Sequence, residues 1–290
     1  MPYRALQLLF VFCACRLAPG QSLSTKWEEL ISSDFVKALA QAQGTCLLPF
    51  GIIEKHGPAG PLGTDLIDVR FATLNAVKQE YALVFPEYYF GQIFEAKHQP
   101  GTIAYSSRLQ FDLLQETTAE MARNGCRKIM IVNGHGGNNS LLQYFVHVQI
   151  EHAKGYVVYA FQNPGGEPTG AAAPTRAGVD GHAGESEISN VMASRPDLVK
   201  LELSPTQSGA DLKRLDLAPG VSTGINWYSR FPNHYQGDSA GASAARGTAA
   251  MKILSDRIAA AIRSVKADQM SLRLQNEFQE ASGHPVDTKQ

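Results

Sequence analysis

Apolar residues recur along this chain in two rhythms, a helical period of about 3.6 and short, nearly continuous runs rich in β-branched residues. The first helical stretch covers residues 27–43, where Thr25 and Glu28 have the spacing of a capping box. A strand is predicted over 45–51, a helix from Asp65 through Val69, Ala72, Leu74 and Val77, and a second buried strand over 82–85. A helix over 109–123 meets Asn124-Gly125, a good C-terminal stop. Then follow a strand at 128–132, a helix at 140–153 and a strand at 156–161. Strands that alternate with helices in this way form βαβ crossovers, so the expected fold is a single α/β domain with a mainly parallel central sheet flanked by helices.

Beyond the last strand the rhythm fails. Residues 163–175 are rich in Gly, Pro and Ala and predict a long loop near a site. A short helix over 184–194 precedes Pro196, one long helical region is predicted over 240–274, and the polar residues 275–290 are expected to fray.

Composition narrows the function. With 26 Lys plus Arg against 27 Asp plus Glu, no strong field exists to recruit nucleic acid or an anionic membrane. At the start, Arg4, an apolar run from Ala5 to Cys15, and then Arg16, Ala18 and Gly20 are laid out as a signal peptide. The run is about 11 residues long and a spanning helix needs about 20, so cleavage near Gly20 is expected rather than stable membrane insertion. The expected organisation is a signal peptide over 1–20, a single folded domain over 21–275 and a polar tail over 276–290, in the periplasm or secreted. After cleavage Cys46 and Cys126 are the remaining thiols. They are either small buried hydrophobes or, if the strands they open are neighbours with Cα atoms within about 7 Å, a disulfide.

Three polar clusters follow predicted strands or loops, where parallel α/β sheets collect their ligands. Glu54 and His56 are two residues apart in an extended loop and so share a side, and Asp65 opens the next helix. His135 stands among Gly134, Gly136 and Gly137, without the Lys and Ser/Thr of a phosphate loop. His182, Glu185 and Glu187 lie between the loose loop and the short helix. No CxxC pair exists for a thiolate site and no Gly-x-Ser-x-Gly elbow for a serine nucleophile. The clusters supply enough imidazoles and carboxylates for two divalent ions that share a carboxylate, an arrangement that activates hydroxide and polarises a carbonyl.

These residues resemble the successive motifs of the creatininase family: Pro49-Phe50-Gly51, Glu54-Lys55-His56-Gly57-Pro58, Pro61-Leu62-Gly63-Thr64-Asp65, Asn133-Gly134-His135-Gly136-Gly137-Asn138 and His182-Ala183-Gly184-Glu185-Ser186-Glu187, with Pro100-Gly101-Thr102 and Gly237-Asp238 as further landmarks. The resemblance covers roughly residues 46–250. It implies a creatininase-type α/β fold, often hexameric, with two zinc, manganese or iron ions. Glu54, Asp65 and His135 would hold one ion, while His56 and the bridging Asp65 would hold the other. His182 would contact substrate and shuttle a proton. Creatininase carries a further glutamate ligand where this chain has Gly137, so another carboxylate must complete the second ion; Glu187 is the preferred one and Glu185 the alternative, with Glu185 also a candidate catalytic group. His98 is out of register for a family histidine and stays unassigned.

The resulting expectation is hydrolysis of a cyclic or linear amide by a two-metal-activated hydroxide acting on a small-molecule substrate. Deformylation, peptide trimming and a non-catalytic secreted metal- or ligand-binding role are the alternatives. Trp227, Tyr228 and Phe231 are expected either to cover a flat ligand or simply to pack.

Overall fold

A computed structural model describes residues 23–164 and 180–289, so the expected signal peptide and most of the expected loop at 163–175 lie outside the described residues. Four parallel strands, β1 (Thr45–Phe50), β2 (Leu83–Val84), β3 (Lys128–Asn133) and β4 (Val157–Phe161), form a sheet of order β2-β1-β3-β4. The expected mainly parallel α/β fold is therefore present. Helix α1 (Ser32–Gln41) precedes the sheet, α2 (Thr64–Ala76), α3 (Ser107–Arg123) and α4 (Asn139–His147) link the strands, and α5 (Glu185–Met192), α6 (Asn226–Arg230), α7 (Ala244–Ala267) and α8 (Ser271–Ser282) follow them. None of the described helices is long and apolar enough to cross a membrane.

The strands read as continuous apolar runs because both faces of the sheet are covered. On one face Cys46, Leu48, Phe50, Ile129 and Ile131 pack against Ala38 of α1, Leu114 and Met121 of α3, and Leu142 and Phe145 of α4. On the other, Leu47, Met130 and Val132 meet Val69 and Ala72 of α2 and Met251, Ile258 and Ile262 of α7. Each such Leu, Ile or Val contributes about 1.5–3 kcal/mol by leaving water. Helix α7 reaches α5 through Gly247, where a Cβ would run into the carbonyl of Ser189. That close approach fixes the short helix that carries Glu185 and Glu187.

Cys46 pairs in register with Ile129, and Cys126 stands just before β3. Their Cα atoms are 5.9 Å apart and the two residues form a disulfide. Of the two readings open in the sequence, the bridge is the one adopted.

Several boundaries differ from expectation for identifiable reasons. Thr25 does not begin a helix, because its carbonyl accepts from Val84 and Lys26 bridges to the same residue at the edge of the sheet. A single 3-10 turn at Trp27–Glu29 follows, and α1 starts only at Ser32. Helix α4 ends at His147 and passes into a 3-10 turn, Val148–Ile150. The long C-terminal helical region is two helices: Asp268 takes an extended conformation, and its side chain accepts from the backbone of Met270 and Ser271 and from Tyr159 Oη. Helix α8 then runs to Ser282, so regular structure extends past residue 275.

The order β2-β1-β3-β4 has consequences for function. The chain leaves β1 for one edge and β3 for the other, which opens a crevice between the carboxyl ends of these two central strands. The loops that carry Glu54 and His56, and His135, begin there.

Candidate metal centre

Glu54 and His56 are fully buried in the loop after β1, Asp65 is the second residue of α2, and His135 directly follows Gly134 at the end of β3. Asp65 does not cap its helix, since the cap position is Gly63 and no side chain serves it. Its carboxylate instead divides between two imidazoles, with Oδ1 3.2 Å from His56 Nε2 and Oδ2 3.0 Å from His135 Nδ1. Glu54 Oε1 also lies 3.0 Å from His135 Nδ1. Yet Glu54 Oε1 and Asp65 Oδ2 are both buried and accept no hydrogen bond.

The second nitrogen of each ring shows what the first is for. His135 Nε2 is 3.1 Å from the carbonyl of Gln92, and His56 Nδ1 is 3.3 Å from the carbonyl of Glu54. A carbonyl can only accept, so each of those nitrogens carries a proton, and in the neutral rings His135 Nδ1 and His56 Nε2 would turn lone pairs to the carboxylates, a place for a proton or a metal ion. Lone pair facing lone pair is unfavourable unless a cation stands between. Ligand atoms about 2.1 Å from a shared ion lie about 3.0 Å apart at right angles and about 3.4 Å apart in a tetrahedron. The distances around Asp65 fit that range, and the donor set suits a hard or borderline divalent ion.

Two groups of ligand atoms gather within coordination reach, Glu54 with Asp65 and His135, and Glu54 with His56 and His182. Around His56, Glu187 Oε2 also comes to 3.9 Å from Nε2. The role of His182 turns on its own tautomer. Its Nε2 lies 2.9 Å from the carbonyl of Lys55 and so carries the ring proton, while Nδ1 is 3.5 Å from Glu187 Oε2. In this position the Nε2 side of His182 donates rather than ligates.

Electrostatics express the same demand for positive charge. Burial alone would raise the Glu54 carboxyl, but the imidazoles of His182 and His135 outweigh it and hold that carboxyl well below its usual range. Burial likewise opposes charge on His56, where Asp65, Glu54 and Glu187 prevail and push the ring up to about 10. His135 behaves in the same way, raised well above the usual imidazole value by Glu54 and Asp65 against its burial.

The two glutamates of α5 part company. Glu187, at the third position of the helix, accepts from the backbone N–H of Ala183 and faces His56 and His182. Glu185 is turned to Arg246 of α7, with Oε1 3.1 Å from Nη1, and does not belong to the group around the histidines. That ion pair turns it toward α7 rather than toward the histidines. His98 donates to the carbonyl of Pro232 and packs edge-on against Tyr228, outside the centre.

One residue escaped the sequence reading. His234 is buried, its Nε2 makes a short hydrogen bond to Glu54 Oε2, and its Nδ1 accepts from Trp227 Nε1 at 3.0 Å. Burial depresses its basicity. Its only sequence signal is a histidine inside the aromatic stretch between Trp227 and Gly237.

The centre opens into a cavity of about 540 Å³ lined by Glu95, Gly137, Asp180, His182, Glu187 and Trp227 among others. Trp227 walls this space while Phe231 is buried, so of the aromatic cluster Trp227 is the member that lines this cavity. A cavity of about 560 Å³ next to it shares Asp180 but has no histidine in its wall, and the chemistry belongs to the first.

Fold and site together define an α/β protein with a His/carboxylate centre for divalent metal at the switch point of its sheet. The chain belongs to the creatininase family: the family's model, described as creatinine amidohydrolase, matches residues 28–262. Relatives include the creatinine amidohydrolase of Pseudomonas putida, 25% identical over 119 residues that make up 39% of this chain and 46% of that protein. The mycofactocin precursor peptide peptidase of Mycolicibacterium smegmatis is 29% identical over 158 residues, 52% of this chain and 58% of its own length. The chain thus spans about half the length of these curated relatives. A crystal structure of creatinine amidohydrolase superposes with a TM-score of 0.69 at 20% identity, covering 86% of this chain and all of that one, which shows the shared fold. Solved creatininases are described in Zn–Zn and Mn forms.

Proposed function

We propose that this protein is an exported, metal-dependent amidohydrolase that cleaves the carbon–nitrogen bond of a cyclic or linear amide with two divalent ions, zinc, manganese or iron. The observation that carries this reading is the pair of buried, unsatisfied oxygens, Glu54 Oε1 and Asp65 Oδ2, each 3.0 Å from Nδ1 of His135. Glu54, Asp65 and His135 would hold one ion, and His56, Asp65 and Glu187 the other. Such ions acidify water and polarise a carbonyl oxygen.

The remaining chemistry falls to the chain's own side chains. With its Nε2 proton held on the Lys55 carbonyl, His182 has Nδ1 as its basic nitrogen, able to take a proton from attacking water and return it to the leaving nitrogen. Proton transfer of this kind is worth about 100-fold to 10,000-fold. The Lys55 carbonyl orients the ring through Nε2, Glu187 Oε2, 3.5 Å from Nδ1, would stabilise the imidazolium once that nitrogen has taken the proton, and Trp227 offers a flat wall to a planar amide. Glu185 serves by tying α5 to α7 through Arg246. The Cys46–Cys126 bridge supports a periplasmic or secreted location, where disulfides persist.

Peptide trimming is the second reading. The likeness to the mycofactocin precursor peptidase favours it, as does a cavity of about 540 Å³, which has room for far more than one five-membered ring. The test is a panel of creatinine, other cyclic amides, formamides and short peptides incubated with zinc- or manganese-loaded protein and read by amine release. We expect chelator-sensitive hydrolysis of at least one class and little or no turnover of creatinine. A protein that binds metal yet hydrolyses nothing on such a panel would be a binding protein, and rapid creatinine hydrolysis would overturn the substrate reading.

A further inference from the structure

We propose that His234 is a positioning residue of the metal centre, completing a Trp227–His234–Glu54 chain that turns Glu54 so that one oxygen alone faces the ion shared with Asp65 and His135. The inference rests on the metal reading above. An indole N–H can only donate, so the 3.0 Å contact from Trp227 Nε1 makes His234 Nδ1 the acceptor and puts the ring proton on Nε2. That proton is donated to Glu54 Oε2. Oε2 is thereby occupied, and Oε1 is left unsatisfied, 3.0 Å from His135 Nδ1. A carboxylate free to rotate would exchange its oxygens; this one is held.

The backbone around His234 is arranged to deliver the ring. Its φ is +50°, a left-handed conformation that a side chain rarely adopts without a reason. The turn is clamped from outside, with Lys55 Nζ on the carbonyl of Asn233 at 2.7 Å and His98 Nε2 on that of Pro232, also at 2.7 Å. Lys55 lies between Glu54 and His56 in sequence, so the loop that provides two ligands also anchors the segment that orients one of them. His98, unassigned in the sequence, acts in this clamp.

The experiment is competition titration of Zn²⁺ against a chromophoric chelator, with thermal melts of the metal-free proteins. His234→Gly removes the ring while suiting the left-handed backbone, and Trp227→Phe removes the N–H that fixes the tautomer while keeping a smaller aromatic ring. Loss of an outer-shell partner costs roughly 10-fold to 100-fold in metal affinity. We expect that loss at one of two zinc ions in His234→Gly, a smaller loss at the same ion in Trp227→Phe, and recovery of the His234→Gly affinity on adding millimolar imidazole. A purely structural role predicts a lowered melt with no imidazole rescue, and that result would overturn the proposal, as would wild-type affinity in both variants. If His234→Gly does not fold, unchanged affinity in Trp227→Phe decides against it. Wild-type protein that binds no zinc would instead sink the metal reading itself.

Discussion

Gly137 stands where the family resemblance implies a glutamate ligand in creatininase, which makes it the natural place to perturb the centre. A Cβ built there lies 3.1 Å from His135 Cδ2 and 3.2 Å from Cε1, and closer still to Nε2. Ordinary contact needs about 3.5 Å or more, so in Gly137→Ala the ring must shift by on the order of 1 Å. Metal–ligand distances tolerate about 0.2 Å. The shift also strains the Gln92 contact that fixes the tautomer. We expect Gly137→Ala to lose at least about 10-fold to 100-fold in metal affinity, about 1.4–2.7 kcal/mol. Gly136→Ala is the control, because a Cβ at Gly136 meets nothing within 4 Å. Chelator competition with melts of both variants separates the two. Gly137→Glu suffers the same clash, so adding the missing carboxylate should not by itself confer creatinine hydrolysis. Equal affinity in Gly137→Ala and Gly136→Ala would refute the placement of His135 as a ligand.

Four further outcomes follow from the structure. At pH 7 the metal-free His56, with its ring at about 10, is protonated, and His135 is raised in the same direction, so metal entry should release protons and weaken as pH falls; calorimetry in buffers of different ionisation enthalpy reads this, and no proton release contradicts it. Raised folded-state values stabilise the metal-free fold fully below about pH 6.5 and are lost as pH rises through about 10, so the metal-free melt should fall over that window while the loaded protein's does not. His182→Asn should keep both metals and slow turnover about 100-fold to 10,000-fold; loss of metal instead would make it a ligand. Cys46→Ser opens a loop of 80 residues and should cost up to about 4.5 kcal/mol by chain entropy, read by denaturant melts beside reduced wild type, and two free thiols in the native protein would end the idea.

What the sequence disclosed depended on how local the determinant was. β1 and β3 were legible because both faces are buried and Gly51 and Gly134 end the runs. Glu54, His56, Asp65 and His135 were legible because they sit at the ends of those strands or open the next helix. Choosing between Glu185 and Glu187 was not, since two residues on a helix are about 200° apart and only one can face the histidines; it is Arg246, on another helix, that holds Glu185 to the other side. Thr25 lost its capping role to strand pairing with Val84, a long-range contact. The break at Asp268 involves Tyr159 on β4, again invisible to periodicity. His234 is 180 residues from Glu54 in an aperiodic segment, so its partnership exists only in the folded chain.

The claim that two ions share Asp65 is tested most directly by metal analysis of Asp65→Asn beside wild type. Asp65 faces His56 and His135 rather than capping α2, so the substitution should leave the fold intact while removing the anionic bridge. Two metal equivalents per wild-type chain, and in Asp65→Asn a content far below that with a melt close to that of metal-free wild type and no hydrolysis, is the predicted result. Two tightly held ions and normal activity in Asp65→Asn would contradict the shared centre.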